Sequence, residues 1–114
     1  MQAVPIQIFG ATALTDTLQP LYSSPANKKT IISKLSFSNN AAVAATVTVH
    51  TVPAAGTPDD TNMVIKEKLL DIGESWSAYT IEGLVLKAGE TLQLKTDAQG
   101  TTKVVAVAAG VEVF

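Results

Sequence analysis

At 114 residues the chain has room for one hydrophobic core and one domain. Its net charge is −2, its 8 basic residues are all lysines, and it contains no cysteine. This speaks against nucleic-acid binding, which relies on basic clusters and arginine forks, and it excludes a disulfide framework or a thiolate metal site.

Residues 3 to 9 alternate Val4, Ile6 and Ile8 against Pro5, Gln7 and Phe9. Pro5 cannot donate to a ladder, so residues 1–17 are expected to form an edge strand or an arm, ahead of a domain over 18–114. Gly10 to Thr17 reads as a connection, Leu18 to Tyr22 as a short apolar piece, and Ser23 to Asn27 as a turn.

Lys28 to Asn39 reads as a strand, with Ile31, Ser33, Leu35 and Phe37 on one face and Ile32, Lys34, Ser36 and Ser38 on the other. Asn39-Asn40-Ala41 turns the chain into Val43–Val52, whose β-branched density suits a strand. The two are expected to pair as an antiparallel hairpin. A long loop, Pro53 to Asn62, leads to a strand over Met63 to Leu70, a turn at Ile72 to Ser75, and a returning strand from Trp76 to Ile81.

The C-terminal third repeats the same grammar. Leu84-Val85-Leu86 enters a turn at Lys87 to Glu90, then Leu92 and Leu94 alternate with Thr91, Gln93 and Lys95. A polar break at Asp97 to Gly100 precedes the run Val104 to Val113. One face of that run offers Val105, Val107, Ala109, Val111 and Val113, enough to line a core; the other offers Val104, Ala106, Ala108 and Gly110. The turn Gly73-Glu74-Ser75 recurs as Gly89-Glu90-Thr91, where glycine accepts a positive φ and the polar side chains bond the turn.

About eight short strands at this spacing predict an all-β fold, a two-sheet antiparallel sandwich of Ig-like or jelly-roll type. The longest apolar run, Val104 to Val111, falls far short of the ~20 residues of a membrane-spanning helix. Met1 to Pro5 lack the basic start of a signal peptide.

No constellation carries chemistry. His50 is the single histidine and has no second His or Cys to complete a zinc site, so it reads as a surface or interface polar residue. Asp59-Asp60 lacks the spacing of a calcium loop. Glu74, Glu82 and Glu90 read as turn residues rather than a glycosidase pair. Trp76 and Tyr79, with Tyr22 elsewhere, keep a sugar-binding surface open as the alternative. No catalytic residue, cofactor or metal is expected.

The low charged fraction, 16% against the usual ~25%, points to surface buried against other subunits. The candidate oligomer or particle interface comprises Val4, Ile6 and Ile8 with Val104, Ala106 and Ala108. Both faces of the last strand are expected to be covered, by the second sheet or by another subunit, and the small residues of that second face suit the close approach of a neighbour.

The segments Leu21 to Pro25, Lys29 to Asn39 and Val47 to Pro53, with the ending Gly83 to Leu94 and Gly110 to Val113, look familiar in that order. The chain from Leu18 to Phe114 resembles small β-sandwich virion proteins of tailed bacteriophages and prophages. The resemblance implies a particle component: a head decoration or cement protein, or a small tail, neck or fibre-associated protein. Capsid or tail proteins are then the expected partners; the low charge and the last strand favour self-association as a trimer, and the absence of cysteine, basic clusters and long apolar runs fits assembly in the host cytoplasm with no nucleic acid or membrane. The alternative class is a carbohydrate-binding or host-adhesion module.

Overall fold

The computed structural model describes residues 2–114; Met1 lies outside them. Nine strands follow in chain order: β1 (Ala3–Ala13), β2 (Gln19–Ser23), β3 (Lys29–Asn39), β4 (Ala45–Val52), β5 (Met63–Leu70), β6 (Ser75–Ser77), β7 (Val85–Leu86), β8 (Thr91–Thr96) and β9 (Val104–Val113). A single 3₁₀ turn, Tyr79–Ile81, stands between β6 and β7.

The strands form two antiparallel sheets. One has the order β1-β9-β3-β6, with β7 also on β3; the other has the order β2-β8-β4-β5. The pairs nest: β1 with β9, β2 with β8, β3 with β6 and β4 with β5, while β9–β3 and β8–β4 complete each sheet. This is the jelly-roll solution of a two-sheet sandwich rather than the immunoglobulin one.

The nesting corrects two sequence expectations. β3 and β4 are not a hairpin, because the chain crosses from one sheet to the other between Asn39 and Ala45. Asn39 pins that crossing. Its buried Nδ2 donates to the carbonyls of Val43 (3.1 Å), Leu70 (3.1 Å) and Asp71 (3.2 Å), and its Oδ1 accepts from the Ala41 N–H (2.9 Å). The return after Gly73 is also shorter than expected. Only Ser75–Ser77 is strand, and it pairs with β3 rather than with β5.

Bulges explain where simple alternation misplaces side chains. In β1 the register slips between Gln7 and Phe9, so Ile8 and Phe9 are both buried, and it slips again before Thr12. The strand thereby continues to Ala13, through the stretch expected to be a connection. In β3 the slip between Ile32 and Lys34 leaves Ser33 unpaired. Thr30 and Ile32 face inward before it, Leu35, Phe37 and Asn39 after it. The expected face Ile31-Ser33-Leu35-Phe37 is therefore split, with Ile31 turned outward. In β5 Glu67 adopts φ 48° at a slip opposite Val47 and Val49, and its N–H bonds the Thr48 hydroxyl at 3.3 Å. Each extra residue bends its strand and reverses the in/out parity beyond it.

The core is one cluster between the sheets, including Ile32, Leu35 and Phe37 from β3, Val47 and Val49 from β4, and Leu92 and Leu94 from β8. β9 contributes its small residues. Ala106 lies opposite Phe37 on one side and Thr12 on the other; Ala108 lies between Leu35 and Phe9; Gly110 lies between Ile32 and Ile6. At Gly110 the flanking strands leave no room even for a Cβ.

Candidate interaction faces

β9 decides what the molecule presents. Val104, Ala106 and Ala108 are 0%, 0% and 1% exposed, so of the two covers expected for this face it is the opposite sheet, and not another subunit, that buries them. Ile8, at 5%, lies in the core with them, while Val4 and Ile6 are half-buried on the same inward side. The six residues share the inner surface of one sheet, and the folded chain does not present them as a patch. Of the edge strand or arm expected at the N-terminus, Ala3 to Ala13 forms the edge strand, paired with β9.

The other face of β9 is the outer surface. Val105, Val111 and Val113 are half-buried there, and Val107 and Ala109 are exposed. Pairing sets their neighbours. Pro5 and Ile31 flank Val111, Gln7 and Lys34 flank Ala109, and Ser36 lies beside Val107 with Ser77 beyond it. Lys29 and Lys34 are the only charged side chains among these outward positions of β1, β9 and β3. A groove of about 310 Å³ lies on this face between Lys34, Ser36, Ser38, Ser75, Val105 and Val107.

The edge of this surface is blunted. The Gln2–Phe114 pair exchanges backbone hydrogen bonds, so alternate residues Ala3, Pro5 and Gln7 point their backbone groups away from β9. Pro5 thus sits where its missing N–H faces the free edge, which interrupts any ladder a further strand would build.

At one end of the sandwich the inward Glu112 carboxylate meets Lys28 at 3.4 Å, the one ion pair among the described residues. The Lys28 ammonium also lies 4.5 Å from the centre of the Phe114 ring. Beside them Thr30 Oγ1 hydrogen-bonds the hydroxyls of Tyr22 (2.8 Å) and Ser24 (3.0 Å). Burial pushes the Tyr22 hydroxyl above its usual value; the Thr30 bond opposes this and the Glu112 carboxylate adds to it. A cavity of about 400 Å³ opens next to this end, lined by Asn27, Lys28, Lys29, Ala88, Val113 and Phe114.

The remaining singled-out residues do not converge. His50 is 3% exposed, a correction to its expected surface position. It lies against the 53–62 loop, with Nδ1 2.8 Å from Asn62 Oδ1. Asn62 Oδ1 also accepts from the Asp59 N–H, and its Nδ2 donates to the Thr57 carbonyl. Asp59 Oδ1 accepts from the Thr61 hydroxyl and N–H, which hold its carboxyl below the usual range. These bonds close the loop on itself. Among the described residues no group of three or more His, Cys, Asp or Glu side chains could hold a metal ion.

Glu74 and Glu90 perform one local task twice. Glu74 accepts the Asp71 N–H at 2.8 Å and Glu90 the Lys87 N–H at 2.7 Å, each following a glycine with φ near 74° or 81°. Glu82 is exposed beside the 3₁₀ turn. Trp76 stacks on Phe37 with ring centres 5.9 Å apart, and Lys68 from the opposite sheet lies 5.2 Å over its ring. The indole closes the edge between the sheets, while Tyr79 stands 73% exposed beyond it.

Sequence reasoning missed the Asn39 network and the outer valine face. The signal for the first was an Asn at a strand end, which reads equally as a turn residue. The second needed only the reversed assignment of one strand's two faces. Comparison with protein-family models, with curated proteins and with solved structures gives no match.

Proposed function

We propose that the chain is a structural component of a tailed-phage virion, a head decoration or cement protein or a small tail or neck protein. It acts by packing: copies associate with one another and with major capsid or tail proteins, and many weak contacts together stabilise the particle. The observation that carries this reading is the outer face of β1, β9 and β3, where Val105, Val107, Val111 and Val113 have no layer of the chain's own above them. Jelly rolls serve in viral capsids and in lectins, so the fold agrees with the reading by analogy only.

The test is the particle itself. Virions purified from a host carrying the gene are expected to contain the chain in many copies, by mass spectrometry, and particles lacking it are expected to lose integrity at a lower temperature. Its absence from purified particles would overturn the reading.

Exposure of Tyr79 favours a second reading, a carbohydrate-binding or host-adhesion module. Under that reading, binding on a glycan array is lost in Tyr79→Ala while the circular dichroism spectrum is unchanged.

A further inference from the structure

Resting on the assembly reading above, the geometry points to a specific partner for the outer face of β1, β9 and β3: the same face of a second copy, related by a two-fold axis along β9. Three observations carry this.

The first is the contrast between the two outer surfaces of one molecule. The outward positions of β8 are Thr91, Gln93 and Lys95, and the 53–62 loop and the Glu67 bulge cover Thr48 and His50 on β4. The central strands of that sheet, β8 and β4, thus have a polar coat, and its exposed apolar side chains, Val64 and Leu69, lie on the edge strand β5. β9 at the centre of the other sheet places Val or Ala at all five outward positions from Val105 to Val113. The centres of the two faces thus differ, as expected where one of them is covered in the assembled state.

The second is extent. β1, β3 and β9 are 11, 11 and 10 residues long. With β6 and β7 alongside, sheet spacings give a face of roughly 700 Å². Stable protein interfaces cover about 600–1,000 Å² on each partner. One sheet face is therefore large enough, and another sheet packed about 10 Å away is the natural cover for it.

The third is self-complementarity. An isologous contact sets a patch against itself, so like charges must not meet. Both charged residues of the face, Lys29 and Lys34, are on β3, and neither β1 nor β9 carries a charge at these outward positions. A two-fold axis along β9 lays β3 of one copy over β1 of the other and keeps each row in step. Lys34 then faces the second copy's Gln7, since both lie in the Ala109 row, and Lys29 faces the second copy's Ala3 in the Val113 row. The β9 valines meet their equivalents on the axis. The lysines of the two copies stay on opposite sides of the interface, and the Gln7 amide supplies an acceptor for Lys34. The trimer expected from the sequence would need two different patches in each contact; this face pairs with itself.

Light scattering coupled to size exclusion is expected to give a dimer for the wild type. Val107→Glu is expected to weaken association by at least about 100-fold, because each copy would bury a carboxylate without a partner, with an unchanged circular dichroism spectrum. The chain has no cysteine, so single introduced thiols report geometry cleanly. Sheets about 10 Å apart are too distant for a direct disulfide; a short bis-maleimide is expected to link Ala109→Cys copies and to leave Gln93→Cys copies, on the other sheet, unlinked. A wild type still monomeric at ~1 mM, a trimeric mass, an unchanged mass for Val107→Glu, or linkage through Gln93→Cys in place of Ala109→Cys overturns the pairing. A dimer that is absent from particles would keep the pairing and end the virion reading. A monomer that is found in particles would do the reverse.

Discussion

The Ile31 carbonyl oxygen faces Gly110 so closely that a Cβ on Gly110 would fall 2.3 Å from it, with Ile8 Cδ1 at 2.8 Å on the same side. Gly110 sits in the central strand, opposite Ile32 on one neighbour and Ile6 on the other. Its hydrogen is what lets the three strands close at this row.

Gly110→Ala is therefore expected to destabilise the fold by about 2–3 kcal/mol, more than the ~0.5–1 kcal/mol that removing a strand glycine returns. The obstacle is backbone, so a rotamer change cannot relieve it. Urea denaturation followed by tryptophan fluorescence measures the difference. A midpoint equal to the wild type would mean that the register of β3 on β9 is not the one described.

Asn39 offers a sharper case of buried polar satisfaction. Asn39→Ala removes the donors to Leu70 and Asp71 and the acceptor for the Ala41 N–H, at the point where the chain changes sheet. A loss of about 2–4 kcal/mol is expected, because several buried groups lose partners together. Asn40 is exposed, so Asn40→Ala is expected to change stability by less than ~0.5 kcal/mol. Equal denaturation midpoints for the two variants would remove Asn39 from its role.

A charge in the inner row of β9 tests which face of that strand is the core. Ala106 is 0% exposed beside the buried Phe37. Ala106→Lys is expected to cost more than ~4 kcal/mol and to abolish the folded β spectrum by circular dichroism. A soluble, folded Ala106→Lys protein would place that face outside the core.

Tyr22 gives a pH dependence with a definite sign. Its folded-state pKa lies above the ordinary 10.0, because burial disfavours the phenolate. The folded state then holds the proton to higher pH than the unfolded state does. The stability from this group is complete below about pH 10 and is lost as pH rises through the folded value. In Tyr22→Phe the alkaline fall in melting temperature is expected to be shallower than in the wild type between about pH 9 and pH 11. Parallel curves would show that Tyr22 titrates as it does in the unfolded chain.

The sequence by itself determined the material of this protein. Polar/apolar alternation in Thr91–Lys95, the valine-rich run of Val104–Val113, β-branched residues in Val47–Val52, and glycine at the third position of the Asp71–Glu74 and Lys87–Glu90 turns specify strands and tight corners through local sterics alone. Those preferences act over a few residues, so they are legible without a partner strand. They cannot say which strands meet. That choice placed β3 and β4 in different sheets and closed the jelly roll. Nor do they locate bulges: Ile8, Ser33 and Glu67 are ordinary strand residues until a neighbour's register makes one of them superfluous.

The clearest case is β9. By hydrophobicity its valine face should line the core. Packing gave the core to Ala106, Ala108 and Gly110 instead, because Phe37, Leu35 and Ile32 on one side and Phe9 and Ile6 on the other already fill the space between the sheets. A strand's hydrophobic pattern reports how much apolar surface each face carries. Only the volume left by its neighbours decides which face is inside, and that volume is a property of the tertiary structure. The same decision turned the valines outward and created the face on which assembly is proposed to occur.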